Sequence, residues 1–191
     1  MCIRDRYEGA ELGWGAYVDG PLGELKLGCG WLPDTWRESD DLCYAIREIS
    51  RTDTAGLFNY STPLGLPALR EQLLKRLTQI KVGTCLDRIL TTHGAGHAQD
   101  LLIRSLLKAG DTVVVETPGY ANLYRQLERH GVTLLEVPRT VGGPDMPVLE
   151  QLLLRHRPKC LFINCLYHNP TGTSLCRAVA ERLLELSRRD G

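Results

Sequence analysis

Residues 89–97 read ILTTHGAGH, a short apolar and β-branched run that stops at Gly94-Ala95-Gly96, where a helical pattern begins. Strand, glycine turn and helix together make a seat for an anion. Glycines let the backbone come close to a phosphate oxygen, and the first N–H groups of a helix have no partner within it. The same turn also serves α/β units that only pack helix on strand, so its meaning depends on what stands before and after it.

Working outward from this stretch, four short apolar runs at 89–92, 112–116, 132–137 and 160–164 alternate with helical patterns at 98–108, 122–130 and 148–155. Strands alternating with helices of this length predict βαβ crossovers and a three-layer αβα domain whose sheet is mainly parallel and covered on both faces. Such sheets bind ligands beyond the carboxyl ends of their strands. The residues with chemical character fall at those ends: 94–96 after the first run, TPGY at 117–120 after the second, and HNPTG at 168–172 after the fourth. On their own terms Tyr120 also reads as a half-buried loop aromatic. Asn169 equally reads as a turn residue bonding its own backbone ahead of Pro170.

Upstream, glycines recur through 8–32, which predicts an extended, turning arm over 1–24 without a core of its own. Ser39 followed by Asp40 and Asp41 reads as an N-cap with acids in the first turn, and Leu42, Ala45, Ile46 and Ile49 continue as a helical stripe ending near Arg51. A turn-rich loop at 58–65 leads to Pro67, which opens a helix with the face Leu69, Leu73, Leu77 and Ile80. The opening MCIRDRY lacks periodicity and reads as a non-native start. At 183–190 a helical pattern is still running as the sequence stops, so 25–191 reads as a partial domain.

Composition narrows the function classes. Hydrophobic residues make up 43% of the 191, enough for a core. Lys plus Arg equals Asp plus Glu at 23 each, so overall charge gives no footprint for nucleic acid. Seven cysteines without a C-x-x-C pair read as thiols in a reducing compartment, and the cytoplasm is the expected location. No apolar run approaches the ~20 residues of a membrane span.

Tyr60 with Gly65, Gly94-Ala95-Gly96, Pro118-Gly119-Tyr120 and Asn169-Pro170-Thr171-Gly172 resemble, in order and spacing, the first half of the fold-type I pyridoxal-phosphate enzymes of aminotransferase class I and II. The wording YSTPLGLPALREQL, GDTVVVETPGY and NPTG carries the likeness. LKLGCGWLPDTW at 25–36 and the GPD at 143–145 are similar to the aminotransferase-like domain of MocR-type transcription regulators. The resemblance implies pyridoxal 5'-phosphate as cofactor, an amino acid or amine as small-molecule ligand, and a homodimer as the complete unit.

Position by position, it implies that Gly94, Ala95 and Gly96 form the seat for the cofactor phosphate, with Ala95 and Gly96 offering N–H groups. Tyr120 would stack on the pyridine, and Asn169 would donate its amide to the phenolic oxygen. Tyr60 would reach the phosphate of a neighbouring subunit, and Gly28 and Gly30 would lie where an arm closes over substrate. The family's Schiff-base lysine, its pyridine-pairing aspartate and its substrate-clamping arginine all lie downstream of 191. The five lysines present, Lys26, Lys75, Lys81, Lys108 and Lys159, have no S-x-S-K setting, so no catalytic residue is expected in this chain and the chain alone should be inactive.

His93 stands where the family has a small residue; it either contacts the phosphate or ends the strand. Its spacing to His97 matches H-x-x-x-H, but two intervening glycines and a missing glutamate argue against zinc. Neither G-x-S-x-G nor G-x-x-x-x-G-K occurs, which removes a serine-hydrolase elbow and a P-loop. Three readings stay open: part of a free transaminase moving an amino group between an amino acid and a 2-oxo acid, the effector domain of a regulator with a separate DNA-binding module, or an inactive remnant.

Overall fold

The computed structural model describes residues 32–190, and these divide into two units at the step from Thr92 to His93. The arm at 1–24, with Gly28 and Gly30, lies outside the described residues.

In the first unit, a 3₁₀ turn at Asp34–Trp36 precedes helix α1 (Ser39–Thr52), α2 (Thr54–Phe58), α3 (Pro67–Gln79) and a second 3₁₀ turn at Leu86–Arg88. Ser39 is the first helical residue rather than the cap. Glu38 holds the cap position and makes no side-chain cap bond, while Asp40 and Asp41 fill the first turn as expected. Asp53 ends α1 and starts α2, its carboxylate accepting from Gly56 N at 2.9 Å. No sequence pattern announces α2, because a capping aspartate between two helical stretches looks like a loop residue. Pro67 opens α3 as predicted. The apolar stripe of α1 is exposed at Leu42, Ile46 and Ile49, and so is the predicted face of α3 at Leu69, Leu73 and Ile80.

The run at 89–92 is extended at Ile89 but joins no ladder among the described residues, which corrects the expected first strand. Its polar groups are taken by other partners. The buried Arg70 guanidinium on α3 donates to Ile89 O at 2.8 Å and to Leu86 O at 2.5 Å, and Thr91 N donates to Leu64 O at 3.0 Å. Gly65 sits at φ +103°, where a side chain would also strike Thr91 Oγ1.

The second unit is the layered part: α4 (Gly94–Leu106), β1 (Thr112–Thr117), α5 (Ala121–Arg129), β2 (Thr133–Thr140), β3 (Gly143–Pro144), α6 (Met146–His156), β4 (Cys160–Phe162) and α7 (Arg177–Asp190). The strand order is β3-β2-β1-β4. Central β1 runs parallel to both β2, in the register Val113↔Leu134, and β4, in the register Val113↔Cys160. The two-residue β3 is antiparallel to β2. Val113, Val114 and Val115 are at most 1% exposed, as a strand covered on both faces requires. Val113 and Val115 pack with Ile103 and Leu107 of α4 and its end, and with Leu123 and Leu127 of α5. Val114 and Val137 pack with Leu149 of α6 on the other face, where Leu183 of α7 joins. This is the three-layer αβα arrangement with a mainly parallel sheet. The GPD stretch acquires a local reason: Asp145 N donates to Pro138 O at 2.8 Å, and its carboxylate caps α6 by accepting from Val148 N at 3.2 Å.

Candidate functional site

Beyond the carboxyl ends of β1 and β4 lies a cavity of about 490 Å³ whose walls include Ala95, Gln99, Glu116, Tyr120, His168 and Asn169, within the ~300–1,000 Å³ usual for small-molecule sites. Three separate predicted stretches therefore meet on one cavity. Tyr60 is fully exposed and belongs to the other unit.

From α4, Ala95 and Gln99 line the cavity, while Gly94 and Gly96 flank Ala95 in the turn. Gly94 takes φ +83° with open space where a Cβ would stand, so its requirement is conformational and not steric. Ala95 and Gly96 follow in the first turn of α4, whose N–H groups find no carbonyl inside the helix. Gly96 O accepts from Gln126 Nε2 at 3.2 Å. His93 precedes the helix, its backbone N–H donates to His97 Nδ1 at 3.1 Å, and the two rings stack at 5.5 Å. His93 thus shapes the turn together with His97. Among the described residues no group of three or more His, Cys, Asp or Glu is placed to hold a metal ion.

The β1 end is shaped by its loop. Tyr120 is 38% exposed and lines the cavity, its hydroxyl accepting from Asn122 Nδ2 at 3.0 Å. Gly119 makes room for a Tyr124 hydroxyl that donates to Glu116 O; a Cβ at Gly119 would meet both groups.

The far wall was not legible as a site. Glu116, 4% exposed, pairs with Arg139 Nη1 at 2.5 Å and accepts from Asn164 N at 2.9 Å. Arg139 also donates to Asn164 O at 3.0 Å and to Thr173 Oγ1 at 3.2 Å. His168, 2% exposed, sets Nδ1 2.9 Å from Thr171 Oγ1 and Nε2 3.7 Å from Glu116 Oε2. Burial holds the His168 imidazole below its ordinary pKa, with Arg139 acting in the same direction and Glu116 against it. The available signal was an acid closing the valine run of 112–116 and an arginine closing the neighbouring run; only the strand register, which pairs Thr117 with Pro138, brings the two together.

Asn169 lines the cavity from the exposed turn that follows His168. Lys108 lies just ahead of β1, and Lys159 N donates to Thr112 O at the start of that strand. Both lysines therefore stand at the edge of the sheet opposite the cavity.

The fold and cavity define a class: a three-layer α/β domain with a cavity at the carboxyl ends of parallel strands, beside a glycine-opened helix. The chain belongs to the aminotransferase class I and II family, which it matches over residues 24–191. It is 32% identical over 148 residues to the uncharacterized HTH-type transcriptional regulator YcxD of Bacillus subtilis, a match spanning 77% of this chain and 33% of the regulator. It is also 32% identical over 105 residues to the 2-aminoadipate transaminase of Thermus thermophilus, spanning 55% of this chain and 26% of that enzyme. Among solved structures, LysN, the α-aminoadipate aminotransferase of Thermus thermophilus in complex with N-(5'-phosphopyridoxyl)-L-leucine, superposes with a TM-score of 0.78 at 27% identity over 84% of this chain and 40% of that one. The chain thus spans between about a quarter and two fifths of these relatives, which include both transaminases and regulators.

Proposed function

We propose that this chain supplies the cofactor cavity of an aminotransferase-like domain, and that the cofactor is pyridoxal 5'-phosphate. The observation that carries the proposal is the convergence of Ala95, Tyr120 and Asn169 on one cavity at the strand ends. The residues present fit this group. Its volume suits the cavity, and the first-turn N–H groups at Ala95 and Gly96 suit a phosphate. The Glu116 carboxylate is neutralised by Arg139, so it does not oppose a dianion. Gln99, which also lines the cavity, holds a buried Oε1 with no protein partner.

In this reading Gly94 permits the turn, Ala95 and Gly96 bind phosphate through the backbone, Tyr120 lays its ring against the pyridine, and Asn169 donates to the phenolic oxygen. When bound, the group supplies an electron sink for the α-carbon of an amino acid. In the complete protein this serves amino-group transfer between an amino acid and a 2-oxo acid. Tyr60 is assigned to the phosphate site of a second subunit, which makes the complete protein a homodimer. A second reading, the effector domain of a MocR-type regulator, is supported by the match to YcxD, which spans 77% of this chain.

Titration of the chain with pyridoxal 5'-phosphate, followed by the cofactor's absorbance and by tryptophan fluorescence, tests the proposal. Saturable binding is expected, weakened about tenfold or more in Asn169→Ala and about fivefold in Tyr120→Ala. Binding that is absent, or indifferent to both substitutions, would overturn it.

A further inference from the structure

The buried groups behind Asn169 form a run of hydrogen bonds whose direction can be worked out. Arg139 can only donate, and its Nε–H goes to Thr173 Oγ1 at 3.2 Å. Thr173 Oγ1 lies 2.9 Å from Thr171 Oγ1, which lies 2.9 Å from His168 Nδ1. Hydroxyls can point either way, and of the two backbone N–H groups aimed into the run the one that bears on its direction is Thr171 N, which faces His168 Nδ1. Thr173 N points at Thr171 Oγ1 and Thr171 N at His168 Nδ1, each at 3.5 Å. A proton on Nδ1 would face the Thr171 N–H, and it would leave the Nε2 lone pair against the Glu116 carboxylate at 3.7 Å. With the proton on Nε2, both conflicts vanish: Nδ1 accepts from Thr171, and Nε2–H faces Glu116, whose other oxygen accepts from Arg139. The groups facing the imidazole are then Glu116 from β1, Arg139 from β2 and Thr171 from its own turn.

The turn itself is tied to this ring. His168 N donates to Thr173 O at 2.7 Å and Gly172 N to His168 O at 2.6 Å, so residues 168–173 are closed into one hydrogen-bonded turn around the buried imidazole. Asn169 stands on that turn, exposed toward the cavity.

We infer that Arg139, Thr173, Thr171, His168 and Glu116 form a polar ring in which donation runs from Arg139 to Glu116 along both arms, directly on one side and through Thr173, Thr171 and a His168 protonated on Nε2 on the other, and that Thr171 and His168 are positioning residues that aim Asn169 into the cavity. The importance of that aim for the cofactor rests on the reading of the cavity proposed above, while the ring and its hold on Asn169 can be measured without any ligand.

The experiment is ¹⁵N NMR of the ligand-free full chain, reading the His168 ring nitrogens and the Asn169 side-chain amide in wild type, Thr171→Val and Thr171→Ser, with pyridoxal 5'-phosphate titrated afterwards. Thr171→Val keeps the shape and removes only the hydroxyl. Wild type should show a neutral ring protonated at Nε2 at neutral pH. Thr171→Val should shift the ring signals toward a mixture of tautomers and move or broaden the Asn169 amide, and Thr171→Ser should restore both. Cofactor binding should weaken about five- to tenfold in Thr171→Val, the equilibrium equivalent of one hydrogen bond, and recover in Thr171→Ser. A wild-type ring protonated at Nδ1 would overturn the inference, as would an Asn169 amide indifferent to Thr171→Val. If the tautomer and the amide behave as stated but no form binds pyridoxal 5'-phosphate, the ring and its positioning of Asn169 stand and the cofactor reading falls.

Discussion

The two ends of the cavity are built by opposite means. At Gly94–Gly96 the proposed phosphate contacts are backbone N–H groups, and what the sequence must provide there is a glycine that permits the turn. At Asn169 the proposed contact is a side chain on a turn, and behind it lie hydrogen-bonded His168, Thr171, Thr173, Arg139 and Glu116, of which Glu116 and His168 are among the most buried polar groups described. A backbone seat depends on one permitted dihedral region. A side-chain seat depends on every charge behind it being matched, since a buried charge without its partner costs far more than the pair contributes.

That contrast can be broken in order of effect. Arg139→Ala leaves Glu116 buried and uncompensated, and should destabilise the chain by about 3–5 kcal/mol in chemical denaturation; a loss below about 1 kcal/mol would mean that the pair is not closed to water. Gly94→Ala forces an alanine to φ +83° and should cost about 1–2 kcal/mol by the same measurement. No change would place the Gly94 turn elsewhere.

A smaller effect appears in the pH dependence. Because the folded pKa of His168 is lowered, the unfolded chain takes up the proton first as pH falls. Stability contributed by this group is therefore complete above about pH 6.5 and declines below it. Denaturation midpoints of wild type and His168→Gln, compared between pH 7.5 and 5.5, should converge at the acid end; midpoints that diverge there would reverse the sign. The smallest effect is expected at Arg182, which donates to Glu150 at 2.9 Å and to Glu185 at 3.1 Å on the surface. Here Arg182→Ala should leave the midpoint essentially unchanged at physiological salt, because exposed pairs are screened and cost side-chain entropy. A loss comparable to that of Arg139→Ala would show that the number of partners matters more than burial.

How much the sequence discloses differs between the two ends for the same physical reason. The glycine turn and the loops at 117–120 and 168–172 announce themselves because turn residues and strand ends leave marks in local composition, whereas Tyr120 and Asn169 stand out within them only through the family resemblance. The alternation of apolar runs and helical stripes likewise announces the layers, as β1, β2, α5 and α6 confirm. Glu116 and Arg139 are 23 residues apart, and no local pattern shows that β1 and β2 lie side by side in a register that joins their ends. The run at 89–92 failed in the other direction. Its pattern is that of a strand, but a strand also requires a ladder partner, and here Arg70 and Leu64 take up its polar groups instead.

In the proposed function one end of the cavity holds a phosphate through the backbone while the other holds a ring through Asn169. The most direct measurement compares the binding of pyridoxal 5'-phosphate and of pyridoxal, which lacks the phosphate, to wild type and Asn169→Ala. Pyridoxal should bind the wild type at least about tenfold more weakly, the equivalent of one charge-assisted contact, and Asn169→Ala should weaken both ligands by the same factor. Equal affinity of the wild type for the two ligands, or a substitution that acts on only one of them, would contradict the account.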